Sequence, residues 1–136
     1  MADALIDQVR AAFEGRQRLH IRGGGTKDWY GEAPSGDKAS VLDTRGHAGI
    51  VAYDPSELVV TARCGTPLTE LETTLAAHGQ MLACEPPHFG QGATIGGCVA
   101  AGLSGPRGPV RAASATSCSA RSCSTAAAST WRSAAR

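Results

Sequence analysis

The chain has 136 residues, one domain's worth, and a net charge of +1 at neutral pH. That balance shows neither a nucleic-acid footprint nor an acidic tail, and no apolar run approaches the roughly 18–20 residues of a membrane span. The five cysteines, Cys64, Cys84, Cys98, Cys118 and Cys123, are odd in number and lack CxxC or Cys/His metal spacing, which points to a reduced, cytoplasmic chain without a disulfide framework.

Residues 3–14 predict a helix: Leu5, Val9, Ala12 and Phe13 share one face, and Gly15 offers a stop. Its early acid groups differ from the basic start of a signal peptide. Residues 17–22 predict a short strand running into Gly23-Gly24-Gly25-Thr26. Residues 27–39, with Pro34 and Gly36, read as a loop. Three short strands follow, at 40–43, 49–53 and 58–63, with Asp54-Pro55 turning the chain between the last two. Thr66 and Pro67 then suit the cap and first position of a second helix, which buries Leu68, Leu71 and Leu75 and stops at Gly79. A strand is expected at Met81–Cys84, a stiff loop at Glu85–Gly90, and a short helix or turn opened by Thr94 over 94–101. Such an alternation suggests α/β or α+β packing.

Two segments carry chemistry. In IRGGGTK, residues 21–27, a strand feeds three glycines, so backbone N–H groups can approach an anion without a Cβ in the way. It is neither a P-loop nor GxGxxG, and a plain flexible turn explains it about as well. In EPPHFGQGATIGGCVAAGLSGP, residues 85–106, two prolines stiffen the approach to six glycines (90, 92, 96, 97, 102 and 105). Tight packing of a small-residue helix is the competing explanation there. His20, His47, His78 and His88 are the histidines, and none stands out as a catalytic base. Trp29 and Tyr30 read as loop packing rather than a stacking platform.

Taken together, IRGGGTKDWYG, LDTRGHAGIVAYDPSELVVTARCGTPLTELE and GQMLACEPPHFGQGATIGGCVAAGLSGPRGP resemble the first half of a PCMH-type (vanillyl-alcohol-oxidase-like) FAD-binding domain. More narrowly, they resemble the family of FAD-binding E subunits of bacterial glycolate oxidases and dehydrogenases. The resemblance covers residues 1–109. It implies an α+β fold: an N-terminal α/β lobe, with the chain truncated before the antiparallel second lobe. It implies that Gly23, Gly24, Gly25, Thr26 and Lys27 wrap the FAD diphosphate, and that Pro87, Gly92, Ala93, Thr94, Gly96, Gly97 and Ser104 line the cofactor further along. Some relatives attach flavin through a His at the end of the first loop. Thr26 stands there, so non-covalent FAD is implied.

The implied function is that of an FAD-dependent oxidoreductase subunit that moves a hydride from the α-carbon of glycolate, or another 2-hydroxy acid, to the flavin. Electrons then pass to partner subunits, a second flavoprotein and an iron–sulfur protein. The expected location is the cytoplasm, or the inner-membrane periphery through those partners.

Residues 110–136 break the pattern. They hold nine Ala, seven Ser and four Arg, but no Gly, Pro or acidic residue. Residues 1–109 carry nine basic against 12 acidic residues, a net −3 hidden by the basic end. Relatives continue here with a segment like GSVRDFVLG. Cys118, Cys123 and Trp131 each force a T in the middle of a codon one base out of frame, and such codons encode apolar residues. The expectation is a one-base insertion or deletion near codons 107–111, with a disordered tail as the alternative. On that reading this polypeptide is a catalytically inactive fragment, at most a weak FAD- or nucleotide-binding module.

Overall fold

The computed structural model describes residues 2–31, 39–103 and 105, together with the backbone of 120–124 and 130–134. The expected loop at 27–39 therefore lies largely outside the described residues, and so does Ser104.

Helix α1 spans Ala2–Glu14. It buries Ala12 and half-buries Leu5 and Val9, but Phe13 is 61% exposed. The helix ends just before Gly15, as expected, but Gly15 is not the residue that turns the chain. Arg16, not Gly15, takes the left-handed conformation at φ 49°. Gln17 N–H donates to the Ala12 carbonyl and Arg16 N–H to that of Phe13, which is the paired closure of a Schellman turn.

Strand β1 (Leu19–Arg22) pairs in parallel with β2 (Ser40–Asp43), Leu19 opposite Ser40 and Arg22 opposite Asp43. Parallel strands need a long crossover, and the first glycine loop is the start of this one. It leaves the carboxyl end of β1, the edge where open α/β sheets usually place ligands. Thr44 fixes that end, because its N–H and its hydroxyl both donate to the Arg22 carbonyl, at 2.9 and 3.2 Å.

Strands β3 (Ile50–Asp54) and β4 (Val59–Ala62) form an antiparallel hairpin with an irregularity between Ile50 and Ala52. Its turn is built by Asp54, whose carboxylate accepts from Ser56 N–H, the Ser56 hydroxyl and Glu57 N–H. The link from β4 to the next helix crosses close over the link from β2 to β3. A Cβ on Gly65 would lie 2.2 Å from the Thr44 carbonyl oxygen.

Helix α2 covers Leu68–Ala76 and buries Leu68, Leu71 and Leu75. Thr66 does not cap it. Pro67 is the cap residue and offers no side-chain bond. Leu68 N–H is instead satisfied by the Ala93 carbonyl at 2.8 Å, and Pro67 makes an isolated bridge with Thr94. The Thr66 hydroxyl is drawn away to the backbone of Gly49 and Arg63. At the far end the expected stop holds: Gly79 sits at φ 68°, with Gly79 N–H on Ala76 and Gln80 N–H on Leu75.

The expected strand at Met81–Cys84 does not form. No neighbouring strand offers it a ladder, and the segment turns, with Glu85 N–H on the Leu82 carbonyl. Helix α3 (Ile95–Ala101) is capped by Thr94, whose hydroxyl accepts from Gly97 N–H, and closes on Gly102 in the left-handed region. Leu68, Cys84, Ala93 and Cys98 form the core between α2 and α3, with Leu82 and Ile95 packed on it. The core thus lies beneath the second glycine segment.

The backbone of β5 (Ala120–Ser124) pairs antiparallel with β6 (Thr130–Ala134). Both strands fall in the segment whose composition suggests an out-of-frame or disordered tail. Ladder bonds use only backbone groups, so an Ala/Ser/Arg stretch can make them. The architecture is α+β: among the described residues, one parallel pair, antiparallel hairpins and three helices.

Candidate cofactor-binding site

The two glycine segments meet. A Cβ on Gly24 would lie 1.7 Å from the Gly92 carbonyl oxygen and 3.3 Å from Ala93 N. A Cβ on Gly23 would lie 2.6 Å from the Thr94 hydroxyl. Both glycines are therefore required by loop-to-loop packing. Gly25 is required by conformation, at φ 72°.

The packing leaves donors free. The N–H groups of Gly24, Gly25, Thr26 and Lys27 have no hydrogen-bond partner among the described residues, and neither have those of Gly90, Gln91 and Gly92. Gly90 and Gly92 have positive φ, 135° and 88°. Residues 24–27 are half-buried, whereas Gly90, Gln91 and Gly92 are exposed and open to water. Half-buried N–H groups are rarely left unpaired, so the run at 24–27 marks a place where an acceptor belongs.

The rest of the second segment stands behind this cradle. Ala93 and Thr94 are buried, at 3% exposure each. The first amides of α3 are already spent: Ile95 N–H on the Thr66 carbonyl, Gly96 N–H on Cys64, Gly97 N–H on the Thr94 hydroxyl. Gly96 is small because a Cβ there would lie 2.8 Å from the Cys64 carbonyl oxygen. Here the packing explanation of the small residues describes Thr94, Gly96 and Gly97 better than ligand contact does. Pro87 is half-buried in the loop that leads to the cradle.

That loop is strained at both ends. Glu85 and Phe89 have φ 43° and 53°, and for a bulky residue this region costs about 1–3 kcal/mol. Phe89 is held by neighbours from the first loop. The Trp29 ring meets it edge to face at 5.2 Å, and Lys27 Nζ lies 5.8 Å from its ring centre. Trp29 also donates from Nε1 to the Thr26 carbonyl at 3.2 Å. Trp29 thus packs between loops, as expected, but its partner Phe89 carried no sequence signal: the contact joins segments some sixty residues apart.

Charge at the cradle is modestly positive. Arg22 is paired with Asp28, Nε to Oδ2 at 2.9 Å, and its guanidinium lies against Gly25, where a Cβ would come 2.6 Å from Arg22 Nη2. Lys27 is a second cation, two residues further along the same loop. His88 bonds Glu72 of α2 at 3.1 Å, which turns its ring toward the helix. His20 lies within β1, and His78 packs on Tyr53 at 5.2 Å. Burial raises the thiols of Cys64, Cys84 and Cys98, the last to about 11, so none is a ready nucleophile. Among the described residues no group of three or more His, Cys, Asp or Glu is placed to hold a metal ion, and no helix is long and apolar enough to cross a membrane.

The residues present fit a diphosphate: half-buried unpaired amides on the first loop, glycines where backbone must come close, and cationic side chains at Arg22 and Lys27.

Comparisons with known proteins agree. The family described as "FAD binding domain" matches residues 2–128 and so continues past residue 109. Glycolate oxidase subunit GlcE of Escherichia coli (strain K12) is 51% identical over 108 residues, 79% of this chain and 30% of that protein. Mitochondrial D-lactate dehydrogenase [cytochrome] 1 of Saccharomyces cerevisiae is 37% identical over 70 residues, 52% of this chain and 11% of that protein. The chain thus spans less than a third of either relative's length. Two structures of alkyldihydroxyacetonephosphate synthase share the fold, with TM-scores of 0.72 and 0.67 at 19% and 22% identity. They cover 93% and 88% of this chain and 23% and 24% of theirs. The chain belongs to the FAD binding domain family, and its cofactor is FAD.

Proposed function

We propose that this chain is the diphosphate-holding lobe of the FAD subunit of a 2-hydroxy-acid oxidoreductase, with glycolate as the substrate. The observation that carries the reading is the joined pair of glycine loops with unpaired amides. The substrate class is supported by the 51% identity to a glycolate oxidase subunit. The chemistry supplied by bound FAD is two-electron oxidation, with a hydride leaving the α-carbon of the hydroxy acid for the flavin. Gly24, Gly25, Thr26 and Lys27 would hold the diphosphate through N–H groups, with the Lys27 ammonium offsetting its charge. Gly92 would close the other side. Thr26 has no ring nitrogen for a flavin bond, so the cofactor is held non-covalently.

Electrons would leave through partner subunits, a second flavoprotein and an iron–sulfur protein, in keeping with the word "subunit" in the relative's name. The location would be the cytoplasm or, through those partners, the inner-membrane periphery.

The test is direct. The 136-residue chain is expressed, freed of unbound flavin by gel filtration, and its visible spectrum recorded. A stoichiometric flavin band, released into the supernatant on acid precipitation, is expected. A folded but colourless protein refutes the reading.

A second reading has its own support. Among the described residues ten large apolar side chains are at least 48% exposed, Leu58 at 76% and Ile21 at 69% among them. On this reading residues 1–109 are a lobe with one wall missing, and 110–136 are read out of frame. The product is then inactive, at most a weak nucleotide binder. Retention of ADP without FAD would favour it, as would a one-base difference in the DNA near codons 107–111. The family match to residue 128 bears against it.

A further inference from the structure

We propose that Trp29 and Phe89 form a clasp that sets the spacing of the two glycine loops and thereby tunes affinity for the diphosphate; the proposal rests on the cofactor site described above. Four observations converge. Trp29 follows the first loop and Phe89 immediately precedes Gly90 of the second, so their ring contact at 5.2 Å spans the cradle from outside. Trp29 is tied to the first loop by its own Nε1–H, which donates to the Thr26 carbonyl. Lys27 of the first loop lies over the Phe89 ring, so its ammonium is tied to the same contact. Phe89 stays in a left-handed conformation that a phenylalanine disfavours, at φ 53°.

Neither ring is buried. Trp29 is 64% exposed and Phe89 50% exposed, so core formation does not account for holding Phe89 in that conformation. A strained residue persists where its surroundings over-determine it, and the side chains in contact with the Phe89 ring are Trp29 and Lys27. The Gly24–Gly92 contact prevents the loops from moving closer. The clasp prevents them from moving apart. Between the two limits the unpaired amides keep one spacing, which is what a diphosphate needs from a pre-formed site. Trp29 and Phe89 are therefore positioning residues. They touch each other and the loops, with no role assigned on the flavin ring.

The experiment is a double-mutant cycle in the full 136-residue chain, with Trp29→Ala, Phe89→Gly and both together, each measured for dissociation constants of FAD and of ADP. Glycine at 89 accepts φ 53° without strain, so thermal stability need not fall with affinity. Each single change is expected to weaken FAD and ADP in parallel, by about tenfold. The double variant is expected to lose no more than either single one. Phe89→Tyr should restore parental affinity.

Affinities within twofold of the parent overturn the clasp. Additive losses overturn it as well. Loss of FAD affinity with ADP affinity intact also overturns it, in favour of direct contact with the flavin ring. A parent chain that binds neither ligand is a separate outcome, because it removes the cofactor reading itself and the clasp with it. A readout without ligand checks the contact: in a Trp131→Phe background, Phe89→Gly should change the emission of Trp29, and an unchanged spectrum counts against the proposal.

Discussion

The Thr66 hydroxyl, fully buried, meets three backbone groups from two different links of the chain. It accepts from Gly49 N–H at 2.9 Å and lies 2.7 Å from the Arg63 carbonyl and 3.1 Å from that of Gly49. A valine of the same shape leaves the Gly49 N–H without a partner in a dry site, while the two carbonyls keep backbone donors, Arg63 N–H on Gly49 and Thr66 N–H on Arg63. Thr66→Val is expected to lower stability by about 1–3 kcal/mol in urea unfolding, and Thr66→Ser to lose less. Asp43 makes a different kind of statement. Hydrogen bonds from the Arg45 side chain and N–H hold its carboxyl down at about 2. A depressed carboxylate contributes stability above its unfolded pKa near 3.8 and loses it as pH falls through about 2. The difference in melting temperature between the parent and Asp43→Asn should therefore be constant above about pH 4 and shrink toward pH 2. A difference that persists unchanged at pH 2 would place the effect elsewhere.

The two kinds of glycine separate at the level of elements. Gly79 closes α2 in an exposed turn with nothing within 4 Å of its missing Cβ. Gly79→Ala should cost about 1 kcal/mol of stability and leave flavin retention unchanged. Gly24→Ala places a methyl inside the Gly92 carbonyl, so the loops must part and retained flavin in the visible spectrum should vanish. Local chemistry made some of this legible from sequence. The Thr94 cap, the Gly79 stop and the Asp54-Pro55 turn all depend on neighbours a few residues away, and all three form. Contacts that depend on distant partners were not legible. Thr66 looks like a cap until Ala93 arrives to take Leu68 N–H. Met81–Cys84 looks like a strand until no partner strand is found. Gly96 reads as a ligand glycine, and Cys64 packed against it supplies a second reason for the missing side chain. Composition showed where small residues were needed, but not whether a ligand or another segment needed them.

Among the described residues, several large apolar side chains stay exposed around a small core, and the paired strands form two-stranded sheets, which are marginal without further cover. Ile21 and Val41, on the parallel pair, are 69% and 54% exposed. Surface of this kind favours self-association. Ile21→Lys combined with Val41→Lys should lower binding of an apolar fluorescent dye and reduce light scattering, with the far-ultraviolet dichroism unchanged. Equal dye binding would mean that other surface dominates.

The interlock of Gly24 with Gly92 also bears on engineering. A backbone that fits only when two remote segments are both present behaves as a single part supplied in two pieces. Transplanting either loop alone into another scaffold would carry the sequence without its shape. A useful graft must bring both loops, with the strand pair that carries the first and the helices that flank the second.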